Sequence, residues 1–372
     1  MLWLVLLKNP NIAVAERVVL GMSGGVDSAV AALLLIEQGY QVECLFMKNW
    51  EGDDDEFCTA EEDYKDALAI CDQLNIPLHS VNFSKEYWER VFQHFLLEYQ
   101  AGRTPNPDIL CNKEIKFKVF LDYALDLGAS RIATGHYARL KSDAQGTHLH
   151  RGIDSNKDQS YFLYMLQQEA LSRSIFPIGE YEKKQVRSLA SEAGFINSLK
   201  KDSTGICFIG ERNFQYFLQQ YLPAKPGEIV DEAGTVIGKH NGLMYYTIGQ
   251  RKGIGIGGGH GDLEAPWYVA QKNLESNQLV VVQTREHPDL YKQELHAGQL
   301  SWTLSPPDSI PFTCTAKIRY RHQDVPCEIS KSTGNRITVR FASPQFAVTP
   351  GQSIVFYNGS ECLGGAVIED AF

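Results

Sequence analysis

A chain of 372 residues is too long for one ordinary core and points to two or three domains, and 22% charged with 44% apolar residues is the composition of a globular protein. The apolar opening Met1 to Leu7 is too short for a membrane span, and no basic region precedes it and no cleavage pattern follows it, so a cytoplasmic protein without a membrane partner is expected. The net charge of −10 argues at face value against nucleic acid, yet eleven acids against two lysines between residues 41 and 75 account for nearly all of it, which leaves stretches such as Lys317-Ile318-Arg319-Tyr320-Arg321-His322 free to meet phosphates.

In chain order, the first predicted strand, Arg17 to Gly21, runs into Gly21-Met22-Ser23-Gly24-Gly25-Val26-Asp27-Ser28 and then into an apolar helix, Ser28 to Gln38, stopped by Gly39. Ser23, Gly24 and Gly25 can bring backbone N–H groups close to a phosphate, and the helix N-terminus adds its own N–H groups and partial positive charge. The segment is therefore an anion cradle. It lacks the lysine of G-x-x-x-x-G-K-[ST] and the spacing of G-x-G-x-x-G, which argues against a Walker nucleoside triphosphatase and a dinucleotide fold. Strands over Gln41 to Met47, Leu78 to Phe83 and Arg131 to Gly135 then alternate with helices over Glu61 to Leu74, Lys85 to Ala101 and Lys113 to Leu127. That alternation predicts an α/β domain with a doubly wound parallel sheet, whose ligand sits at the carboxyl ends of the strands, where the cradle lies. The acid-rich stretch reads as a mobile, solvated segment.

After a helix near Asn213 to Leu222 the punctuation changes, with Pro223, Pro226, Gly227 and many later glycines separating short alternating runs. The expected division is residues 1–211 for a nucleotide-binding catalytic domain, 212–283 for a small central β-rich domain and 284–372 for a C-terminal antiparallel β-barrel. In the last part, strands are expected over Cys314 to Tyr320, Arg336 to Phe341 and Ser353 to Tyr357, with Arg319 and Tyr320 on an alternating strand beside Lys317 and Arg321. Gly253 to Gly258 satisfies G-x-G-x-x-G, but His260-Gly261-Asp262 and Pro266 follow, so a hinge or tight hairpin is expected there.

Eight cysteines without a C-x-x-C pair support neither a zinc ribbon nor a thioredoxin motif, and no protein metal site is expected. Cys44, Cys58, Cys71, Cys314, Cys327 and Cys362 read as buried small hydrophobes. Two others sit differently. Cys111 lies in Thr104-Pro105-Asn106-Pro107-Asp108-Ile109-Leu110-Cys111-Asn112-Lys113, a proline-rigidified loop entering a helix, and Cys207 lies between Gly205 and Gly210, after Lys200-Lys201. Helix N-termini and nearby ammonium groups favour the nucleophilic thiolate, but these residues alone leave open whether either thiol is reactive.

Together, GMSGGVDS, FMKNW, NPD-x-x-CN, TGHYAR, KDQSYFL, STGICFIGERNF and YTIGQRKGIGIGG resemble the tRNA-specific 2-thiouridylase family, from about residue 17 to the C-terminus. That family belongs to the PP-loop, or N-type, ATP pyrophosphatases, which convert ATP to AMP and pyrophosphate while adenylating a carbonyl oxygen. The resemblance implies an ATP site at Gly21, Met22, Ser23, Gly24, Gly25, Val26, Asp27 and Ser28, bordered by Met47 and Gly135, with Mg²⁺ offsetting the pyrophosphate charge and Asp27 as its ligand or organiser. It implies a nucleophile at Cys111, a persulfide carrier at Cys207 and an acid/base role for Asp108. It also implies contacts to tRNA or its target base from Asn106, Pro107, Asp108, His136, Lys157, Asp158, Gln159, Arg319, Tyr320 and Gln352.

The implied reaction is ATP-dependent 2-thiolation of the wobble uridine of tRNA, by adenylation of the uracil 2-oxo group and sulfur transfer from the Cys207 persulfide, with Cys111 releasing the sulfur and leaving a Cys111–Cys207 disulfide. The implied partners are tRNA and a sulfur-relay protein or cysteine desulfurase as donor, acting on a monomer. Three alternatives stay open at the level of sequence. One is a PP-loop synthetase or amidotransferase acting on a small molecule, and another is a non-catalytic RNA-binding module. The third is a variant enzyme in which Asp108, Cys111 and Cys207 hold an iron–sulfur cluster.

Overall fold

Arg17–Gly21 forms strand β1, with Val18 and Leu20 packed into one core and Val19 into another, the alternation of a strand buried on both faces. The structure is a computed structural model that describes residues 15–51, 60–202, 214–256 and 265–372. Along the chain β1 is followed by β2 (Gln41–Lys48), β3 (Leu78–Asn82), β4 (Arg131–Ala133), the hairpin β5 (Ala138–Ser142) and β6 (Thr147–Arg151), and β7 (Ser174–Ile175). The parallel sheet has the order β3-β2-β1-β4-β7. It grows outward from β1 in one direction and then from β4 in the other, so the crevice at the end of β1 is a topological switch point, the position where such sheets bind ligands.

Helix α1 (Val26–Glu37) follows the cradle and is buried along most of its length, as its run of alanine, valine and leucine requires. With α2 (Ala60–Leu74) and the helix Lys183–Glu192 it covers one face of the sheet, while the helical stretches 84–100 and 107–126 cover the other. The acid-rich stretch is thus partly a strand and partly a helix among the described residues. Lys200 Nζ anchors it, 2.8 Å from Asp63 Oδ1 and 2.5 Å from Asp66 Oδ2. None of the described helices is long and apolar enough to cross a membrane.

The central region holds β8 (Gly227–Val230), β9 (Val236–His240), β10 (Trp267–Asn273) and β11 (Gln278–Gln283) in the order β10-β11-β8-β9, over a core of Ile229, Val269, Leu279 and Val281. Gly253 and Gly255 both have positive φ (75° and 82°) and flank buried Ile254, and no helix follows among the described residues of that segment.

The C-terminal strands are β12 (Tyr291–Trp302), β13 (Phe312–Lys317), β14 (Val325–Thr333), β15 (Arg336–Phe346), β16 (Ser353–Asn358) and β17 (Glu361–Ala371). They pair in the antiparallel order β12-β15-β14-β13-β16-β17, and β12 pairs again with β17, which closes a six-strand barrel and removes its edges. The hairpin β5–β6 of the first domain extends this sheet, with Leu149 opposite Cys362 and His150 opposite Glu361. Tyr161 reinforces the junction by donating its hydroxyl to the Ser353 carbonyl (2.9 Å).

Two expectations are corrected here. Arg319 and Tyr320 do not continue the strand, because β13 ends at Lys317 and the chain turns there with Ile318 buried. Cys314 is only half-buried; it faces Cys327 across the β13–β14 pair with the sulfurs 3.7 Å apart.

Candidate active site

The cradle is wrapped by its own serines. The Ser23 N–H donates to Ser28 Oγ (3.2 Å), and the Ser28 hydroxyl donates to the Gly25 carbonyl (3.0 Å). Gly24 has φ +76°, and a Cβ there would lie 2.2 Å from the Asp63 carbonyl oxygen, so the turn and the close approach of α2 both require glycine. Two distant positions that the resemblance sets beside a nucleotide pack against this loop. Gly135 abuts the Ser28 backbone nitrogen, and Met47 Cε packs beside Gly21.

Asp27, in the first turn of α1, is tightly held. Lys183 Nζ lies 2.8 Å from each of its carboxylate oxygens, and the Tyr137 hydroxyl donates to Oδ1 (2.7 Å). Lys183 also contacts Asp202 Oδ1 (2.7 Å), and Asp202 accepts further from Lys157 (2.6 Å) and Arg187 (2.8 Å). Burial alone would raise the Asp202 pKa, but Lys157 and Lys183 outweigh it and hold the group at about 2. Burial, followed by the charge of Asp27, pushes the Tyr137 phenol far above its ordinary value, which keeps it a neutral donor. Sequence reasoning missed Lys183, because nothing in Glu182-Lys183-Lys184-Gln185 marks one lysine over its neighbour.

A second group of the implied positions surrounds the helix Pro107–Cys111. Asn106 caps it, its Oδ1 accepting from the Asp108 N–H (3.2 Å), and Pro107 occupies its first turn. Cys111, at the end of this helix, is fully buried, and the chain continues from it into a π-helical stretch, Asn112–Val119. Asn112 Nδ2 donates to the Phe162 carbonyl (3.1 Å), and the Phe162 ring lies 4.4 Å from that of Tyr320. Gln159, three residues before Phe162, accepts from the Tyr137 N–H (2.9 Å). A continuous path therefore runs from Asp27 through Tyr137 and the 157–162 segment to Asn112 and Cys111, with Tyr320 at its far side.

Other implied positions are engaged within the protein. Asp158 is buried and accepts from Gly152 N–H and Ser160 N–H, which fixes the turn that presents Lys157 and Gln159. His136 is buried with Nδ1 2.8 Å from Thr134 Oγ1; burial, and then the charge of Lys116, holds its pKa well below the ordinary value, so the ring is neutral. Arg319 Nη2 donates to the carbonyls of Ile248 (2.9 Å) and Ala347 (2.8 Å) and to Thr349 Oγ1 (2.5 Å), which ties the central region to the barrel. Gln352 Nε2 donates to the Thr104 carbonyl (2.7 Å). Cys207 lies outside the described residues.

A parallel sheet whose first strand opens into a glycine–serine cradle at the switch point, followed by a small β domain and a closed β-barrel, defines a HUP-domain α/β fold that carries two β domains. Family models match it in three parts: a tRNA methyl transferase HUP domain over residues 16–211, a tRNA methyl transferase PRC-barrel domain over 215–283 and an aminomethyltransferase beta-barrel domain over 292–368. The tRNA-specific 2-thiouridylase MnmA of Hydrogenovibrio crunogenus is 61% identical over 97% of this chain and 94% of its own length. Those of Histophilus somni and of an Escherichia coli O1:K1 strain are 60% and 59% identical, each over 95% of this chain and over 93% and 97% of their own lengths. The chain belongs to the tRNA-specific 2-thiouridylase family.

Proposed function

We propose that this chain uses ATP to activate the 2-oxo group of the wobble uridine in tRNA and replaces that oxygen with sulfur carried as a persulfide on Cys207. The observation that carries the reading is the physical path joining the cradle to Cys111 through Tyr137 and residues 157–162, because activation and sulfur transfer must meet at one base.

The cradle fits the phosphates of ATP: it is a glycine turn too tight for a Cβ at Gly24, at the head of a buried helix. Mg²⁺, when bound, would neutralise the pyrophosphate, with Asp27 the carboxylate beside it and Lys183 an adjacent cation. Uracil O2 takes up the adenylyl group of ATP and pyrophosphate leaves, which converts a poor leaving oxygen into a good one. The outer sulfur of the Cys207 persulfide then bonds to C2 as AMP departs. Cys111 attacks Cys207 Sγ, the bond between Cys207 Sγ and the sulfur on the base breaks, and 2-thiouridine leaves with that electron pair while a Cys111–Cys207 disulfide forms. An external thiol reductant restores the pair. Asp108, at the start of the Cys111 helix, serves as the acid/base.

In this reading tRNA is bound by Asn106, Pro107, Asp108, His136, Lys157, Asp158, Gln159, Tyr320 and Gln352, Arg319 holds the central region to the barrel, and a cysteine desulfurase or sulfur-relay protein supplies the persulfide to a cytoplasmic monomer. A small-molecule synthetase is not favoured, because the relatives match through both β domains, which such chemistry does not require. Nucleoside mass spectrometry of tRNA from cells with and without this chain tests the reading. Loss of 2-thiouridine at the wobble position supports it, and an unchanged level contradicts it.

A further inference from the structure

Residues 102–104, which lead into the Asn106 cap, are gripped by both β domains. From the barrel, the Pro350 carbonyl accepts from the Thr104 N–H (2.9 Å) and Gln352 Nε2 donates to the Thr104 carbonyl (2.7 Å), so both backbone polar groups of this residue are held by one domain. From the central region, Lys272 on β10 donates Nζ to the Gly102 carbonyl (2.9 Å), and Thr247 Oγ1 lies 3.4 Å from Thr104 Oγ1. Between them, Arg103 is tied back to the first domain through Glu98 (2.6 Å). Lys272 has no carboxylate partner among the described residues, so its one strong contact there is the Gly102 carbonyl.

The chain beyond Thr104 is stiff. Pro105 and Pro107 fix their own φ and restrict the residue before each, and Asn106 is locked as the helix cap. A displacement at Thr104 is therefore transmitted along Pro105-Asn106-Pro107 to Asp108 and Cys111 instead of being absorbed by a soft loop. Cys111 has no solvent exposure in this arrangement.

We propose that residues 102–104 act as a positioning strap, through which Gln352 of the barrel, at Thr104, and Lys272 of the central domain, at Gly102, set the placement of the Cys111 helix and keep its thiol covered. Gln352 thus acts inside the protein on the nucleophile's helix, in addition to any contact with RNA. The functional meaning of this placement rests on Cys111 being the nucleophile; the strap itself does not, and its test uses no thiolation assay.

Alkylation of the full chain by iodoacetamide under native conditions, followed site by site with peptide mass spectrometry, reads the strap directly. Gln352→Met and Lys272→Met each remove one donor and should each speed modification of Cys111 about five-fold, the effect of losing one net hydrogen bond. Lys272→Arg keeps a donor and should stay at the unaltered rate. Cys44 and Cys362, both fully buried in other parts of the fold, report global opening and should stay unmodified throughout. An unchanged Cys111 rate in either methionine variant, or a rise shared by Cys44 and Cys362, would overturn the proposal.

Discussion

Lys183 grips both carboxylate oxygens of Asp27 at 2.8 Å from 156 residues farther along the chain. The pair lies at the head of α1, where a phosphate would meet the cradle, and the Lys183 side chain is only 11% exposed. Lys183→Met leaves Asp27 with Tyr137 and strips one cation from Asp202. Breaking such a pair costs about 3–5 kcal/mol when fully buried and less here, where the carboxylate is partly solvated. The expected outcome is a measurable loss of stability in urea and loss of tRNA-dependent AMP formation, with Lys183→Arg retaining part of both. Normal AMP release from Lys183→Met would show that the lysine has no part in the nucleotide site.

Gly24 allows an equally sharp substitution. Alanine would require φ +76° and place its Cβ 2.2 Å from the Asp63 carbonyl oxygen, so either the cradle or α2 must move. The left-handed conformation alone costs about 1–2 kcal/mol for a non-glycine residue. Gly24→Ala is expected to lower Tm and to abolish ATP binding in calorimetry, whereas Gly39→Ala, with nothing within 4 Å of its Cβ, should show the backbone strain without loss of ATP binding.

Two groups set opposite pH dependences. Asp202 has a folded pKa of about 2, below the ordinary carboxylate value, so its contribution is present above about pH 4 and is lost as pH falls toward 2. His148 is held between Glu361 (2.6 Å) and Asp143 (3.1 Å); the Glu361 hydrogen bond, against a smaller effect of burial, raises its pKa. Its contribution is complete below about pH 6.5 and disappears as pH rises through the raised folded value. Tm measured against pH should therefore lose its acid-side slope between about pH 4 and 2 in Asp202→Asn, and flatten above about pH 6.5 in His148→Gln. Unaltered profiles would mean that neither interaction persists in solution.

Arg319 separates a structural role from a phosphate contact. Its Nη2 already donates to Ile248, Ala347 and Thr349, and burial lowers its pKa. Arg319→Ala is expected to lower Tm by releasing the central region from the barrel, while the log-log salt dependence of tRNA binding keeps its slope. A slope reduced by roughly 0.7 to 0.9 would instead mean that the arginine neutralises one phosphate of the RNA.

The parts of the molecule legible in sequence are the local ones. β1 falls on Arg17–Gly21 as expected, and α1 starts two residues earlier than the predicted Ser28, because alternation and a glycine stop are written in consecutive residues. The cradle was visible for the same reason, and its approach to Met47 and Gly135 came only through the resemblance. The Lys183–Asp27 pair, the β6–β17 pairing and the Thr104 strap join residues more than a hundred positions apart, and no short-range pattern encodes them. Arg319 is the reverse case: a cation beside an aromatic residue in a basic run suggests RNA, and its internal bonds to three oxygens of the protein are not written in that run.

The central claim is that activation by ATP and sulfur insertion occur at the same uridine. The most direct measurement is a reconstitution of the full chain with ATP, Mg²⁺, unmodified tRNA and a cysteine desulfurase with cysteine, in which AMP and 2-thiouridine are quantified from the same sample. The two products should appear together in equal amounts, and both should vanish in Asp27→Ala. AMP formed without 2-thiouridine despite a persulfide-loaded enzyme, or 2-thiouridine formed without ATP, would contradict the claim.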